Sequence, residues 1–387
     1  MKRISFLLIA ATSMAVPACA GDPDTGPGPD ETPGGGPQGS EWDKVLETRV
    51  VDYSAALRIA ALRLTGDLPT VTEINAVAQP ADLEAKRVAY EGLVQQYIGR
   101  PTFAKQMMYF WRDTFKMGGT PEMDTAPAFA ASLTVSNGNY MDLFRATTGA
   151  CPTFNEATGT FTPADCAGPG PKAGVLTNQG VMKQYFGNFA FRRVKWIQET
   201  FDCLKFPVEV GVNAPSEIGG PTAYTGAWPY MSIAGQQNGG RINFLDVSSV
   251  LCVNCHQTLN HAAPLFANYD EMGVYQPVIS VPTPETDIPR PAITDYLPPG
   301  ETTAWRFGVP AADLPAYGAA MAADADVAKC GVARVWNWAM GKADIVDALQ
   351  DVPATTIQAQ LDSFTSGGYK MKDLIFAVYT SPDFVKF

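Results

Sequence analysis

Residues 43–66 read DKVLETRVVDYSAALRIAALRLTG. Apolar residues recur there at steps of three and four, and Gly66 follows the last of them. That is the signature of an amphipathic helix closed by a glycine. The signature repeats downstream. Thr70 and Glu73 in LPTVTEINAVAQ have capping-box spacing. LEAKRVAYEGLVQQYIG ends at Gly99, and PTFAKQMMYFWRDTFKMGG opens on Pro101 and stops at Gly118 and Gly119. NFAFRRVKWIQETFDCL, DVAKCGVARVWNWAMG, TTIQAQLDSFTSGG and YKMKDLIFAVYTSPDF have the same period. Between them lie Gly-, Asn- and Pro-rich stretches, and no segment sustains the period of two that a sheet needs. The expected fold is mainly α, a multi-helix protein with long irregular Pro/Gly-rich connections.

The N-terminal end reads as a targeting device. Lys2 and Arg3 precede the apolar run ISFLLIAATSMAV and the small-residue site VPAC. This predicts a signal peptide over residues 1–18 and lipidation of Cys19, as in bacterial lipoproteins. Residues 19–42 then form a Gly, Pro and acid tether that cannot bury enough apolar surface to order itself. The remaining chain is long enough for two subdomains, expected over 43–174 and 175–387. Loss of Lys2 and Arg3 leaves 26 basic against 39 acidic residues, a charge of −13. With no basic run in the sequence, this argues against nucleic acid or an anionic bilayer surface as a partner, and leaves membrane contact through the lipid anchor only. The expected location is the periplasm or cell surface, at the outer membrane.

Seven cysteines are present. Cys19 belongs to the leader and Cys252 with Cys255 to a motif taken up next. The even remainder in an exported chain reads as two disulfides. Cys151 and Cys166 bracket the hairpin-like PTFNEATGTFTPAD, and Cys203 with Cys330 follows by elimination; two buried thiols are the alternative for that second pair.

VLCVNCHQTLNHAAPLF, residues 250–266, holds both histidines of the chain, His256 and His261. C-x-x-C-H is the attachment signature of haem c. Two thiols one turn apart can each form a thioether to a haem vinyl group, and the next residue then faces the iron as its imidazole ligand. A structural zinc site wants four ligands in two knuckles, which ten positions do not supply. A thioredoxin-like pair needs a βαβ setting, and a plain Cys252–Cys255 disulfide leaves His256 unexplained. One covalent haem c is therefore expected, in an embedded cytochrome c-like segment. Pro264 is expected to offer its carbonyl to the His256 ring, as a proline following the motif does in small class I cytochromes c. His261 lies too close in sequence to reach the opposite face and is expected to meet solvent, a propionate or a backbone carbonyl. Met117 is the first choice for the distal iron ligand, with Met231, Met272 and Met321 behind it; Met117 also fits as the last core residue of its helix.

CVNCHQTLNHAAPLFANYDEMG, with its acid-x-x-Gly turn from Asp270 to Gly273, resembles the C-x-x-C-H segment of large exported proteins of planctomycetes and myxobacteria. GVLTNQGVMKQYFGNFAFRRVKWIQETFDCL upstream and the two C-terminal helical stretches are similar to the same families over residues 175–387. The resemblance implies a periplasmic or surface haem protein and brings no established reaction. Three functions compete. The first is a monohaem electron carrier with a redox partner protein of basic surface. The second is a scaffold or adhesion lipoprotein with structural haem, which the chain's size favours. The third is a peroxidase-like enzyme, for which no distal acid–base group is evident. No Ser-His-Asp set, phosphate loop or paired carboxylates point to hydrolysis, so no catalytic residue is assigned.

Overall fold

The computed structural model describes residues 47–204, 237–238, 241–242, 250–282, 289–297, 300–306, 309–343 and 352–387; for 237–238, 241–242, 250–255 and 257 only the backbone is described. Among these residues it is mainly helical, with fourteen α-helices and two two-stranded antiparallel ribbons. The signal peptide, Cys19 and the tether lie outside the described residues.

The N-terminal helices are α1 (Tyr53–Thr65), α2 (Val71–Ala78), α3 (Leu83–Tyr97), α4 (Pro101–Phe115) and α5 (Thr125–Val135). Their limits follow local chemistry. Gly66 closes α1 in the left-handed conformation at φ 80°, where a Cβ is disfavoured. Thr70 and Glu73 form the expected reciprocal capping box on α2, and Pro101 opens α4. α4 ends earlier than the glycine pair suggested, because Lys116 itself takes the left-handed turn at φ 51°.

After the short α6 (Asp142–Arg145), strands β1 (Thr153–Asn155) and β2 (Thr160–Thr162) pair as a hairpin. Cys151 and Cys166 close its base with a sulfur–sulfur distance of 2.01 Å. Helices α7 (Gln179–Gln184) and α8 (Phe191–Phe201) lead through the two-residue strands β3 (Gln237–Asn238) and β4 (Arg241–Ile242) to α9 (Val250–Phe266). Then come α10 (Leu314–Ala323), α11 (Ala325–Met340), α12 (Ala354–Ser366), α13 (Met371–Tyr379) and α14 (Pro382–Val385).

A division at 174/175 is not observed, since residues Arg49–Phe387 form one compact unit. The reason is packing across the expected boundary. α13 lies on α3 and α5, and α14 lies on α1. Val50 and Phe387 exchange backbone hydrogen bonds at 3.0 Å in each direction. The shared core is aromatic. Phe115 meets Trp196 and Phe201 edge-on, and Phe201 meets Phe144 at 4.8 Å, so α4, α6 and α8 share one apolar centre. α9 packs along α8, and α8 is tied to α11 by Cys203–Cys330 at 2.00 Å.

Candidate functional site

The C-x-x-C-H motif lies in the first turns of α9, with the backbone of Cys252 and Cys255 one turn apart; the two thiols lie outside the described side chains. His256 follows. Its Nδ1 stands 3.0 Å from Asn260 Oδ1, one turn along the same helix. A carbonyl oxygen only accepts, so Nδ1 carries the proton and the lone pair resides on Nε2. The ring meets Phe191 edge-on, with centroids 5.3 Å apart at 89°. Burial pushes its pKa below the ordinary histidine range, against the Asn260 hydrogen bond, which acts the other way.

Phe191, the first residue of α8, is delivered by unusual backbone. Phe189 and Ala190 both take left-handed φ, at 59° and 60°. Such a conformation costs a non-glycine residue roughly 1–2 kcal/mol. The kink stacks Phe189 with Phe191 at 5.8 Å and sets both rings against Tyr296. An aromatic wall beside the motif histidine is its product. Strain of this kind collects where a site is held open or shaped.

The other end of α9 is anchored by Arg193, whose side chain is wholly buried. Nη1 donates to the carbonyls of Phe266 and Tyr269 at 2.8 and 2.9 Å, and Nη2 to those of Met182 and Asp270 at 2.6 and 3.1 Å. Nε adds a second bond to Met182 at 3.0 Å. The cation thus sits on the negative end of the helix that carries the motif. Burial lowers its pKa to about 10, which still leaves it charged at neutral pH. Arg334 repeats the device one helix back, giving Nη2 to Glu199 and Nε to Thr200, both carbonyls in the last turn of α8, at 2.6 and 3.1 Å.

The Asp270–Gly273 turn has a physical cause. Asp270 Oδ1 accepts from the N–H groups of Met272 and Val274 at 3.0 and 2.9 Å. A Cβ on Gly273 would stand 2.2 Å from the Gln179 carbonyl, so only glycine lets this turn lie on α7.

Two expected roles fall elsewhere. Pro264 lies in the last turn of α9, eight residues past His256 and so roughly 12 Å along the axis. Its carbonyl accepts from Ala267 N–H, and Asn260 takes the place expected for it. Met117 is buried at 7% exposure among the core residues that follow α4. The adjoining Phe115 carbonyl receives Tyr185 Oη and, at 3.1 Å, Trp196 Nε1. Of the other methionines, Met321 is fully buried in α10, Met272 is half exposed, and Met231 lies outside the described residues. His261 is turned to Glu301, Nε2 to Oε2 at 2.9 Å.

A cavity of about 420 Å³ flanks α9 at Thr258 and is lined also by Gln198, Asp202, Arg306, Lys329 and the Cys203–Cys330 bridge. Arg306 is shared among Asp202, Asp324 at 3.0 Å and Asp326 at 2.9 Å. Asp202 is nearly buried, and one guanidinium divided among three carboxylates does not offset that desolvation. Its pKa rises to about 6. Asn260, Arg193 and Asp202 carry no sequence motif. Only the i,i+4 spacing of His256 and Asn260 in a helix could have flagged the first.

The residues fit a covalent haem. The thiol spacing, an imidazole whose Nδ1 is held by Asn260 and a wall of Phe189, Phe191 and Tyr296 are the features such a group uses. Among the described residues no three His, Cys, Asp or Glu side chains gather to hold a bare metal ion. No helix among them is long and apolar enough to cross a membrane. Comparison with protein-family models, curated proteins and solved structures finds no match for this chain.

Proposed function

We propose that the protein is an extracytoplasmic electron-transfer protein, a c-type cytochrome with one covalent haem, lipid-anchored through Cys19 in the periplasm or at the cell surface. One observation carries the reading. In a chain with two histidines, the one following C-x-x-C is held through Nδ1 by Asn260, which leaves the lone pair on Nε2. Bound haem c supplies a one-electron iron couple. The chain's residues provide its setting. Cys252 and Cys255 hold the group as thioethers, and His256 ligates the iron. Asn260 keeps the imidazole proton on Nδ1 and makes the ring a stronger donor. Phe191 covers the ring edge against water, and Arg193 fixes the helix as a whole. With a formal charge of −11, the acidic surface favours a basic redox partner drawn in by the protein's field, so transfer should slow as salt screens it.

Intact-protein mass spectrometry of material from a host with haem-c maturation tests the assignment. One added haem is expected, with attachment weakened in Cys252→Ala. Stoichiometric zinc with no haem would overturn it.

A further inference from the structure

The fold gathers cations that are scattered in the sequence. A groove of about 680 Å³ between α1, the end of α11 and the last residues of the chain is lined by Arg49, Arg58, Arg63 and Lys386, with Asp383 the one acidic side chain among them. Through the shared residues Gln106 and Trp338 it continues into a smaller pocket that adds Lys116 and Lys342 beside Asp113, while Arg334 there is committed to the carbonyls of Glu199 and Thr200. In a chain of net charge −11 this is a local reversal of sign. Among the described residues Arg58, Arg63 and Lys386 take part in no ion pair, and Arg58 and Lys386 are exposed.

Apolar side chains lie beside the cations, Leu62 exposed and Ile59 partly buried against the core. Ile59 and Leu62 line the groove beside the arginines. Arg58 and Leu62, like Ile59 and Arg63, stand four residues apart on one face of α1. Leu62 is 51% exposed, and Val50, next to Arg49, is 67% exposed. Of thirteen exposed large apolar residues in the described chain, seven fall between Val50 and Val88. A soluble polyanion would use the cations and leave Leu62 and Val50 idle. A bilayer surface uses both, because its phosphates lie above its hydrocarbon.

We infer that this face docks on an anionic lipid surface, with guanidinium forks on headgroup phosphates and Leu62 and Val50 at the acyl boundary. The lack of a basic run in the sequence does not argue against such contact, since α1 and the C-terminal residues assemble the patch in space. The inference is separable from the proposed anchor. Thirty residues separate Cys19 from Arg49, so a lipidated chain would present the patch within roughly 30 Å of its membrane. The surface should bind without that help.

The test uses the full chain with Cys19→Ser, so that no lipid contributes, and vesicles of phosphatidylglycerol or of phosphatidylcholine in a sedimentation assay. Binding to the anionic vesicles should exceed binding to the zwitterionic ones by tenfold or more and should fall with salt. Arg58→Gln with Arg63→Gln should lower it by more than tenfold, since each cation at such a surface contributes about 1 kcal/mol and 1.4 kcal/mol is a factor of ten. Leu62→Ser, which leaves the charge intact, should lower it about threefold. Equal partition into both vesicles, or none, overturns the inference. So does binding to inorganic polyphosphate as tight as to vesicles and indifferent to Leu62→Ser, which would make the groove a polyanion site. Lipidation of wild-type Cys19 would stand in either case.

Discussion

Arg193 Nη1 donates to the carbonyl of Phe266 at 2.8 Å, and Phe266 is the last residue of the helix that bears the C-x-x-C-H motif. Through this contact α8, whose first residue touches His256, also fixes the opposite end of α9. The histidine and its aromatic neighbour are thereby held by one pair of helices.

Arg193→Met should leave the carbonyls of Met182 and Tyr269 without the guanidinium donor and take one of two donors from those of Phe266 and Asp270. Each stranded group costs about 1–3 kcal/mol, although relaxation will recover part, so a loss of roughly 3–5 kcal/mol is expected in urea unfolding. Arg193→Lys keeps the charge but not the fork, and should lose less while remaining well below wild type. A change under 1 kcal/mol for the methionine variant would show that the arginine is a bystander.

The two disulfides should differ in weight. Cys203–Cys330 closes a separation of 127 residues and Cys151–Cys166 one of 15. The chain-entropy relation assigns them about 5 and about 3 kcal/mol. Paired Cys→Ala replacements, compared by thermal unfolding, should therefore lower Tm more for the 203–330 pair. The reverse order would mean that the hairpin loop, and not the tie between α8 and α11, governs stability.

Asp202 gives a pH dependence whose sign can be stated. Its carboxyl titrates near 3.8 when unfolded and at about 6 when folded, so between those values the folded protein binds more protons. Its contribution is complete below about pH 4 and is lost as pH rises to about 6, up to roughly 3 kcal/mol. Asp202→Asn should flatten the unfolding free energy over that interval. A wild-type curve that instead climbs across it at this residue's expense would show that Arg306 holds the carboxylate charged.

Asn260 and Pro264 can be set against each other in haem-loaded protein. If Asn260 Oδ1 accepts the imidazole proton, Asn260→Leu removes that hydrogen bond, weakens the ligand as a donor and raises the reduction potential. Pro264→Ala should leave the potential where it was. An effect confined to Pro264→Ala would restore the carbonyl role read from the sequence.

What the sequence disclosed was mostly what repeats. The step of three and four in ALRIAALRL, the Thr70–Glu73 box and Pro101 announce helices through local energetics, and the helices are there. The hairpin between Cys151 and Cys166 was legible because its strands are neighbours. Contacts far apart in sequence were not. Arg193 looks like any polar position in FRRVKW until α9 ends against it, and nothing in Arg58 or Lys386 tells that they share a groove. Pro264 failed for a particular reason. Its carbonyl could have reached His256 only had the chain turned back after the motif, and α9 instead runs on as a helix through Phe266. Met117 likewise sits in the core just past the end of α4, the packing role its position also allowed.

Optical spectra of the purified protein, oxidised, reduced and reduced under carbon monoxide, test whether His256 ligates a covalently held haem. A low-spin c-type spectrum is expected that survives acid extraction, is lost in His256→Ala and is slow to change under carbon monoxide, as an electron carrier requires. A protein purified from a haem-c-maturing host that shows no haem absorption, or whose spectrum is unchanged in His256→Ala, would contradict it.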